Sequence, residues 1–214
     1  MAKARIVWFV GPAGAGKTTL AKALARRRRM AVLDMDTLLR PAAEAIMKQA
    51  GLDPSDRDSS EYKRRCRDLG YRITMDAALE NAASGIDAVV IGPFTKELND
   101  PDWVARELSA IEGQTGEFSI EAKAVFVYLP SEQHYYDRIR QRGSALDQWK
   151  LDHWDTFRAS LVRREVRWRL PEGSVLYLDN SEPMTEETLD RLDRFVFGHD
   201  SGDRSDDPKE GQGR

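Results

Sequence analysis

The segment that most constrains this chain is GPAGAGKT, residues 11–18, which lies between a short apolar run and a helix-forming stretch. The apolar run is RIVWFV, residues 5–10, and the stretch that follows is LAKALA, residues 20–25. The segment matches G-x-x-x-x-G-K-[ST], in which glycines let successive backbone N–H groups point at a phosphate. The sequence therefore predicts a strand, a phosphate loop and a helix as the first unit of an α/β fold.

The same loop predicts its ligand, a nucleoside triphosphate with Mg²⁺. Lys17 is expected to bridge the β- and γ-phosphates, and the Thr18 hydroxyl to bind the metal. The helix after the loop adds the positive end of its dipole. ATP is the expected nucleotide, with GTP left open. The predicted nucleotide-binding residues here are Gly11, Ala13, Gly14, Ala15, Gly16, Lys17, Thr18 and Thr19.

Length and composition predict one ordinary globular domain. The chain has 214 residues, of which 41% are hydrophobic and 32% charged. Its net charge of −3 argues against nucleic acid as the main partner. The single cysteine, Cys66, fits a reducing compartment. No apolar stretch approaches the roughly 20 residues of a membrane span, and the six-residue apolar run at the start is too short for a signal peptide. We expect a cytoplasmic protein with no membrane partner.

The order of apolar and helical patterns predicts a three-layer α/β/α sandwich with a five-stranded parallel sheet. The predicted strands are Ile6–Val10, Ala31–Met35, Ala88–Ile91, Ala124–Leu129 and Val175–Leu178. The predicted helices are Thr18–Arg29, Leu38–Gln49, Glu61–Ala83 (whole, or broken around Gly70), Trp103–Ile111, Ser131–Gln141, Leu151–Leu170 and Glu186–Phe197. Residues 1–197 form the predicted domain, and residues 198–214 a disordered acidic tail.

Apolar residues recur at helical spacing in the Leu151–Leu170 stretch. Because such a stripe faces a core, we expect it to pack against the rest of the domain. The stripe consists of Leu151, Trp154, Phe157, Leu161, Val162 and Val166.

Two acids follow the second predicted strand, and none follows the third. Asp34 and Asp36 lie in VLDMDTL, whereas the third strand ends in IGPF, residues 91–94. Alternation along a strand places both carboxylates on one side, facing the phosphate loop. Asp34 is expected to hold a magnesium-bound water near Thr18, and Asp36 to accept or orient a substrate hydroxyl. Helix capping is the alternative role for both acids.

GPAGAGKT followed about 20 residues later by D-x-D resembles the P-loop small-molecule kinases related to shikimate kinase and gluconate kinase. Asp36 before Thr37-Leu38 is also similar to the acid of chloramphenicol phosphotransferase, and kinase-type AAA-family ATPases share the pattern. The resemblance implies that Lys17 is a phosphate ligand and Asp36 the base. It also implies a helical substrate-binding insertion, at about residues 50–85, and a lid, at about residues 138–150.

Two arginines in the lid-like segment are four residues apart and share a helix face. The resemblance implies that Arg138 and Arg142 close over ATP, neutralising the transferred phosphoryl group or stacking on adenine. Where relatives have a further arginine this chain has Leu146, and Lys150 could compensate. A solvated basic helix face is the alternative reading of the pair.

The remaining site predictions concern the acceptor and the adenine. Arg57 and Arg72 lie in the insertion, where cations suit an acidic or phosphorylated acceptor, although a solvated surface explains them as well. Phe94 and Thr95 follow the third strand and are expected to contact the acceptor. Asn180 follows the fifth strand and is expected near the adenine.

The leading hypothesis is an ATP-dependent phosphotransferase that acts on a hydroxyl of a small metabolite, nucleoside or antibiotic. Its expected partners are ATP, Mg²⁺ and that acceptor. A nucleoside monophosphate kinase and a polynucleotide end-kinase are the alternatives within the class. A regulatory NTPase switch that acts on a protein partner is the alternative from another class. The sequence predicts no oligomeric state.

Overall fold

The computed structural model describes residues 3–111, 119–144 and 147–198, in which five strands form one parallel sheet. The sheet order is β2-β3-β1-β4-β5, and every neighbouring pair is parallel. The strands are β1 (Lys3–Val10), β2 (Ala31–Asp34), β3 (Ala88–Ile91), β4 (Ser119–Tyr128) and β5 (Val175–Asp179). The five predicted strands and their parallel arrangement are confirmed, with β1 and β4 longer than predicted.

Helices connect the strands and cover both faces of the sheet. They are α1 (Lys17–Arg28), α2 (Met35–Gln49), α3 (Ser60–Ala83), α4 (Trp103–Ser109), α5 (Glu132–Arg142), α6 (Gln148–Asp152), α7 (Trp154–Arg158) and α8 (Glu186–Phe197), with a 3-10 turn at Glu97–Asn99. This is the predicted three-layer α/β/α sandwich. Because parallel strands all end at one edge, the loops after β1, β2 and β3 meet there.

Each face of the sheet has its own apolar core. On one face α1 and α8 pack against Val7 and Phe9 of β1. On the other, α3 and α4 pack with an aromatic cluster around Trp8. Trp8, Phe94, Trp103 and Trp168 form that cluster, with ring centroids 5.3–6.4 Å apart in the five contacts among them.

The predicted helix over Leu151–Leu170 is wrong. Helical structure ends at Arg158, and an irregular segment crosses the aromatic face instead. The backbone N–H groups of Val166, Arg167 and Arg169 donate to the Tyr177 hydroxyl and to the carbonyls of Leu98 and Pro101. These tertiary hydrogen bonds replace the helical ones and place Trp168 in the core. Val162 of the predicted stripe is 52% exposed.

The helices α2 and α3 pack against each other over a small core of their own, made of Leu39, Ala43, Met47, Tyr62 and Cys66. Gly70 does not break α3, so the helix is whole. A Cβ at Gly70 would lie 2.7 Å from Leu39 Cδ2, and glycine there therefore permits the close approach of the two helices.

No helix in the described ranges is both long and apolar enough to cross a membrane. Leu146 and residues 199–214 of the predicted tail lie outside the described residues.

Candidate active site at the carboxyl edge

The turn between β1 and α1 is held in place by close packing against distant parts of the chain. Gly11, Gly14 and Gly16 have positive φ angles of 128°, 83° and 94°, a region that glycine tolerates best. A Cβ at Gly11 would lie 2.2 Å from the Val127 carbonyl oxygen, and one at Gly16 would lie 2.2 Å from Asn180 Nδ2. The loop is therefore fitted to β4 and to the loop after β5.

The N-terminus of α1 has no side-chain cap, unlike those of four other helices. Side chains cap α2, α3, α5 and α8, namely Asp34, Ser59, Ser131 and Thr185. Within the described chain, α1 begins at Gly16 with no side-chain cap, and its first turn carries no acid. Because the first backbone N–H groups of a helix lack partners within the helix, this end suits an anion.

Lys17 lies within the curl of the loop. Its Nζ donates to the carbonyls of Gly11 and Pro12 at 2.9 and 2.8 Å. Burial lowers its pKa to about 8, the charges of Asp36 and Asp34 oppose that shift, and Arg142 adds to it. The charges of two carboxylates and of Arg142 thus act on the ammonium group.

Thr18 and Asp34 form an oxygen pair beside the loop. The Thr18 hydroxyl donates to Asp34 Oδ2 at 3.3 Å. Asp34 is 9% exposed, ends β2, and accepts the Asp36 N–H at 3.1 Å, so it also caps α2. In the described ranges no group of three or more His, Cys, Asp or Glu residues could hold a metal. A hydroxyl and a carboxylate are ligands that Mg²⁺ accepts when phosphate and water complete its shell.

Asp36 does not continue the strand geometry, so the alternation expected to place both carboxylates on one side does not apply. The strand β2 ends at Asp34, and α2 begins at Met35 rather than at Leu38, so Asp36 lies exposed in the first helical turn. The Asp36 N–H donates to Asp34 Oδ1, and this N-cap hydrogen bond explains the early start of the helix. The charges of both acids nevertheless act on the Lys17 ammonium group.

Arg138 contacts the backbone of the phosphate loop and of the loop after β5. Its guanidinium donates to the Ala15 carbonyl at 3.4 Å, to the Asn180 carbonyl, and to the Ser181 carbonyl at 3.1 Å. Asn180 Nδ2 also donates to the Ala15 carbonyl, at 2.8 Å. Arg138 and Asn180 thus join the phosphate loop to the loop after β5. The sequence predicts that the adenine binds near that second loop.

Arg142 lies one turn further along α5, in an ion-pair chain. Its Nε and Nη2 contact Asp147 Oδ2 at 2.6 and 2.5 Å. Lys150 Nζ lies 3.3 Å from Asp147 Oδ1 and 3.3 Å from Asp58 Oδ2. Asp58 belongs to the connection between α2 and α3, so this chain joins the lid segment to the predicted acceptor side.

The predicted acceptor residues separate into two groups. Arg57 lies near the site, with Nη2 3.2 Å from Glu44 Oε1 and its guanidinium 5.7 Å from the centroid of the Tyr62 ring. Burial raises the pKa of Tyr62, Arg57 opposes the shift, and the Asp36 charge adds to it. The charges of Arg57 and Asp36 thus both act on the Tyr62 hydroxyl. Thr95 is half-buried in the loop after β3.

Two predicted acceptor contacts do not fit the structure. Phe94 is fully buried, with its ring 4.8 Å from Tyr71 and 5.4 Å from Trp103. Its side chain thus belongs to the core rather than to the site. Arg72 pairs with Asp76 at 2.8 Å and with Glu107 of α4 at 3.0 Å, and these helix-surface pairs account for it.

Sequence reasoning missed Asp58, Tyr62 and Asp147. The i,i+3 spacing of Asp147 and Lys150 was a usable signal for that pair, whereas Arg142 belongs to the preceding helix and no spacing rule marks its contact with Asp147. No local pattern marks Asp58, which reaches Lys150 only through the fold.

Solved structures with similar folds are described as kinases. A putative kinase from Chloroflexus aurantiacus is 18% identical, covers 92% of this chain and 100% of its own, and has a TM-score of 0.62. A sugar kinase from Janibacter sp. is 19% identical, covers 91% and 96%, and has a TM-score of 0.57. A gluconokinase from Sinorhizobium meliloti is 18% identical, covers 90% and 93%, and has a TM-score of 0.52. At these identities the likeness shows the fold.

The curated relatives match part of the chain. The cytidylate kinase of Rhodospirillum rubrum is 37% identical over 87 residues, 39% of this chain and 40% of that protein. The cytidylate kinase of Limosilactobacillus reuteri is 29% identical over 111 residues, 45% of this chain and 48% of that protein. The chain thus aligns with less than half the length of these relatives. A model of the AAA domain family matches residues 6–163, more than half of the chain. The chain therefore belongs to the AAA domain family and has the kinase-type P-loop fold.

Proposed function

We propose that this protein is an ATP-dependent phosphotransferase that moves the γ-phosphate to a hydroxyl of a small molecule. The observation that carries the proposal is the setting of Lys17, which opens a helix without a side-chain cap and whose ammonium group is acted on by the charges of Asp36 and Asp34. An NTPase that activates water commonly has an acid after β3, whereas here the buried β3 is followed by Gly92, Pro93 and the core residue Phe94. The acids near the phosphates come from β2 and α2 instead.

Mg²⁺ would be held by Thr18 and Asp34, with phosphate oxygens and water as further ligands. The pair fits the ion because both groups offer oxygen and lie 3.3 Å apart beside the loop. The metal, when bound, draws charge from the β- and γ-phosphates. Lys17 would leave its carbonyl partners and contact the phosphates, which offer stronger charge-assisted hydrogen bonds.

Asp36 is the proposed base. It is exposed at the mouth of the site and lies near Lys17, so it can accept the proton of an acceptor hydroxyl held in line with the γ-phosphate. Arg142 would neutralise charge on the transferred group from the lid side. Phosphoryl transfer needs little else than positioning and charge stabilisation, which this set supplies.

The proposed acceptor site lies between the start of α2 and the region around Arg57 and Tyr62. The Asp36 carboxylate and the Arg57 guanidinium, whose charges both act on Tyr62, favour an acceptor that carries both a hydroxyl and a negative charge. The α2–α3 pair, with its own small core, is the proposed substrate-binding region, and the segment from Arg138 to Lys150 is the proposed lid.

A nucleoside monophosphate is the second candidate acceptor. The partial match to cytidylate kinases favours it, and Arg57 and Lys150 would then face the acceptor phosphate. In that case the attacking group is a phosphate oxygen, which is already ionised at neutral pH, so Asp36 would orient the acceptor rather than act as a base.

The test is transfer of label from γ-³²P-ATP to a panel of sugar acids, polyols, nucleosides, hydroxylated antibiotics, nucleoside monophosphates and oligonucleotides, with Lys17→Met as the inactive control. Label on a hydroxylated compound supports the main proposal. Label on CMP alone moves the assignment to the second candidate. Free phosphate across the whole panel, with nucleotide-dependent binding of a protein, would overturn both in favour of a regulatory NTPase. Label on an oligonucleotide end would do so in favour of an end-kinase.

A further inference from the structure

The lid end of α5 carries an ion-pair chain that the proposed mechanism does not use as a whole. We name it the lid chain: Arg142, Asp147, Lys150 and Asp58. Each oxygen of Asp147 has its own cation, since Arg142 contacts Oδ2 and Lys150 lies 3.3 Å from Oδ1. Lys150 also lies 3.3 Å from Asp58.

Burial separates the members of this chain. The side chain of Asp147 is 2% exposed and that of Lys150 is 13% exposed, whereas that of Arg142 is 53% exposed. Burying a carboxylate is expensive unless cations and hydrogen bonds compensate it, and both partners here are needed for that. The half-exposed Arg142 is therefore paired with the buried Asp147.

Asp147 makes no capping hydrogen bond to its own helix. It occupies the residue before α6, where an acid ordinarily accepts backbone N–H groups, yet no side-chain cap forms there among the described residues. Within α6 it pairs with Lys150, three residues further on, and its other partner, Arg142, lies at the end of α5. Asp147 therefore links the two helices.

The position of α5 brings Arg142 towards the phosphates. Arg138 of the same helix contacts the Ala15 carbonyl, and Ile139 Cγ1 lies 2.9 Å from where a Cβ of Gly14 would be. Arg142 extends one turn beyond Arg138, and its charge acts on the ammonium group of Lys17. The space beyond Lys17 is where a γ-phosphate would lie in a phosphate loop.

We propose that Asp147 is a positioning residue that holds Arg142 towards the γ-phosphate, and that Lys150 and Asp58 tie this arrangement to the acceptor side. The inference rests on the proposed function, because it assigns Arg142 to the transferred phosphate. Asp147 itself touches neither nucleotide nor acceptor. It acts by limiting the orientations that the long Arg142 side chain samples.

The test compares ATP with ADP, since the two differ only by the γ-phosphate. Binding of each to the full chain is measured by calorimetry with Mg²⁺, for the wild type, Asp147→Asn, Arg142→Ala and the double variant. Asp147→Asn is expected to lower the preference for ATP over ADP about tenfold, as a lost charge-assisted contact does. The affinity for ADP should stay within about twofold, and the double variant should be no worse than Arg142→Ala, because the two residues act as one unit.

Asp155→Asn is the matched control. Asp155 is an acid of α7, just after the lid segment; its side chain is 91% exposed and lies 3.2 Å from Arg158 of the same helix, so its removal should leave the preference unchanged. Asp58→Asn keeps the contact between Arg142 and Asp147 and should lower the preference by only about twofold to threefold. The lid chain thus predicts that the preference for ATP falls most in Asp147→Asn, less in Asp58→Asn and not at all in Asp155→Asn.

Several outcomes overturn the inference. An unchanged preference for ATP in Asp147→Asn, with a wild type that prefers ATP, removes the inference and leaves the proposed function standing. Equal loss of ATP and ADP affinity shows a general structural role. Equal affinity of the wild type for ATP and ADP would show that no residue contacts the γ-phosphate, which would overturn the inference and weaken the proposed function as well. If Asp147→Asn does not fold, Arg142→Lys keeps the charge but loses the paired contact, and wild-type preference in that variant overturns the inference.

Discussion

The phosphate loop and the lid chain both build the candidate site, but they do so in opposite ways. The loop is one unbroken segment whose glycines are packed at 2.2–2.9 Å against Val127, Ile139 and Asn180, measured to the position of an added Cβ. The lid chain joins Arg142, Asp147, Lys150 and Asp58 by ion pairs across 92 residues of sequence. The comparison teaches that the anion site is set by backbone shape, whereas the groups around it are set by charge pairing.

The same contrast appears within α5. Arg138 is held by three backbone carbonyls and belongs to the rigid part, and Arg142 is held by one carboxylate and remains half exposed. A guanidinium that donates to carbonyls has few donors left for a ligand, whereas one at the end of a helix can reorient. Arg138 and Arg142 lie on one face of α5, one turn apart, yet Arg142 keeps more donors that could contact a ligand.

Asp36→Asn is expected to have the largest effect on the chemistry. Turnover should fall by about two to four orders of magnitude, because general-base assistance is lost, while ATP affinity changes little. Single-turnover phosphoryl transfer with γ-labelled ATP measures the first and calorimetry the second. Turnover within about threefold of the wild type would show that Asp36 is not the base.

Phe94→Ala tests whether the residue after β3 belongs to the core or to the acceptor site. Its ring packs among Tyr71, Trp103 and Trp168, so the free energy of unfolding should fall by about 3–5 kcal/mol. Denaturant titration measures this change. Thr95→Ala, at the half-buried neighbour, is the control and should change stability by much less. A stable Phe94→Ala variant with a raised acceptor KM would restore the acceptor role that the sequence suggested.

Gly16→Ala tests the rigid side of the comparison. An added Cβ would lie 2.2 Å from Asn180 Nδ2 and would strain a residue with φ of 94°, so we expect ATP affinity to fall about 30-fold to 100-fold. Gly51→Ala is the matched control, because φ is 70° there and nothing lies within 4 Å. That variant should lose some stability and keep its ATP affinity. Wild-type affinity in Gly16→Ala would mean that the loop is more adaptable than its packing indicates.

Arg72→Ala is expected to have the smallest effect. Its pairs with Asp76 and Glu107 involve a side chain that is 47% exposed, and such pairs contribute about 0–1 kcal/mol. Turnover and acceptor KM should stay within about twofold of the wild type. Arg57→Ala is the comparison, with an expected rise of about tenfold in acceptor KM. Equal effects of the two substitutions would erase the distinction between the arginines.

Much of the fold could be predicted because its signals are local. Five apolar runs and the loop motif identify the strands and their parallel order, since buried parallel strands read as continuous apolar runs. The failure at Leu151–Leu170 has a physical cause. Trp168 and the backbone of residues 166–169 find partners on Leu98, Pro101 and Tyr177, which no periodicity within the segment encodes.

The part of the site that a specific motif encodes could be predicted, because a lysine and a threonine at the end of a phosphate loop have well-defined roles. Thr18 follows Lys17 in the motif, and its hydroxyl lies 3.3 Å from Asp34 Oδ2 although β3 separates β2 from β1 in the sheet. The roles of the arginines could not be predicted in this way. The sequence shows an arginine but not its partner, and Arg72, Arg138 and Arg142 each have partners in other elements.

The sequence alone determined that β1 leads into an anion-binding turn, because glycine conformational freedom and the helix start are properties of the local backbone. It also determined that acids follow β2 and not β3. Only the tertiary structure decided that Asp36 lies on a helix, that Phe94 is in the core, and that Asp147 holds Arg142. The reason is physical: backbone torsion preferences act over a few residues, whereas burial and ion pairing depend on which distant segments the fold brings within a few ångströms.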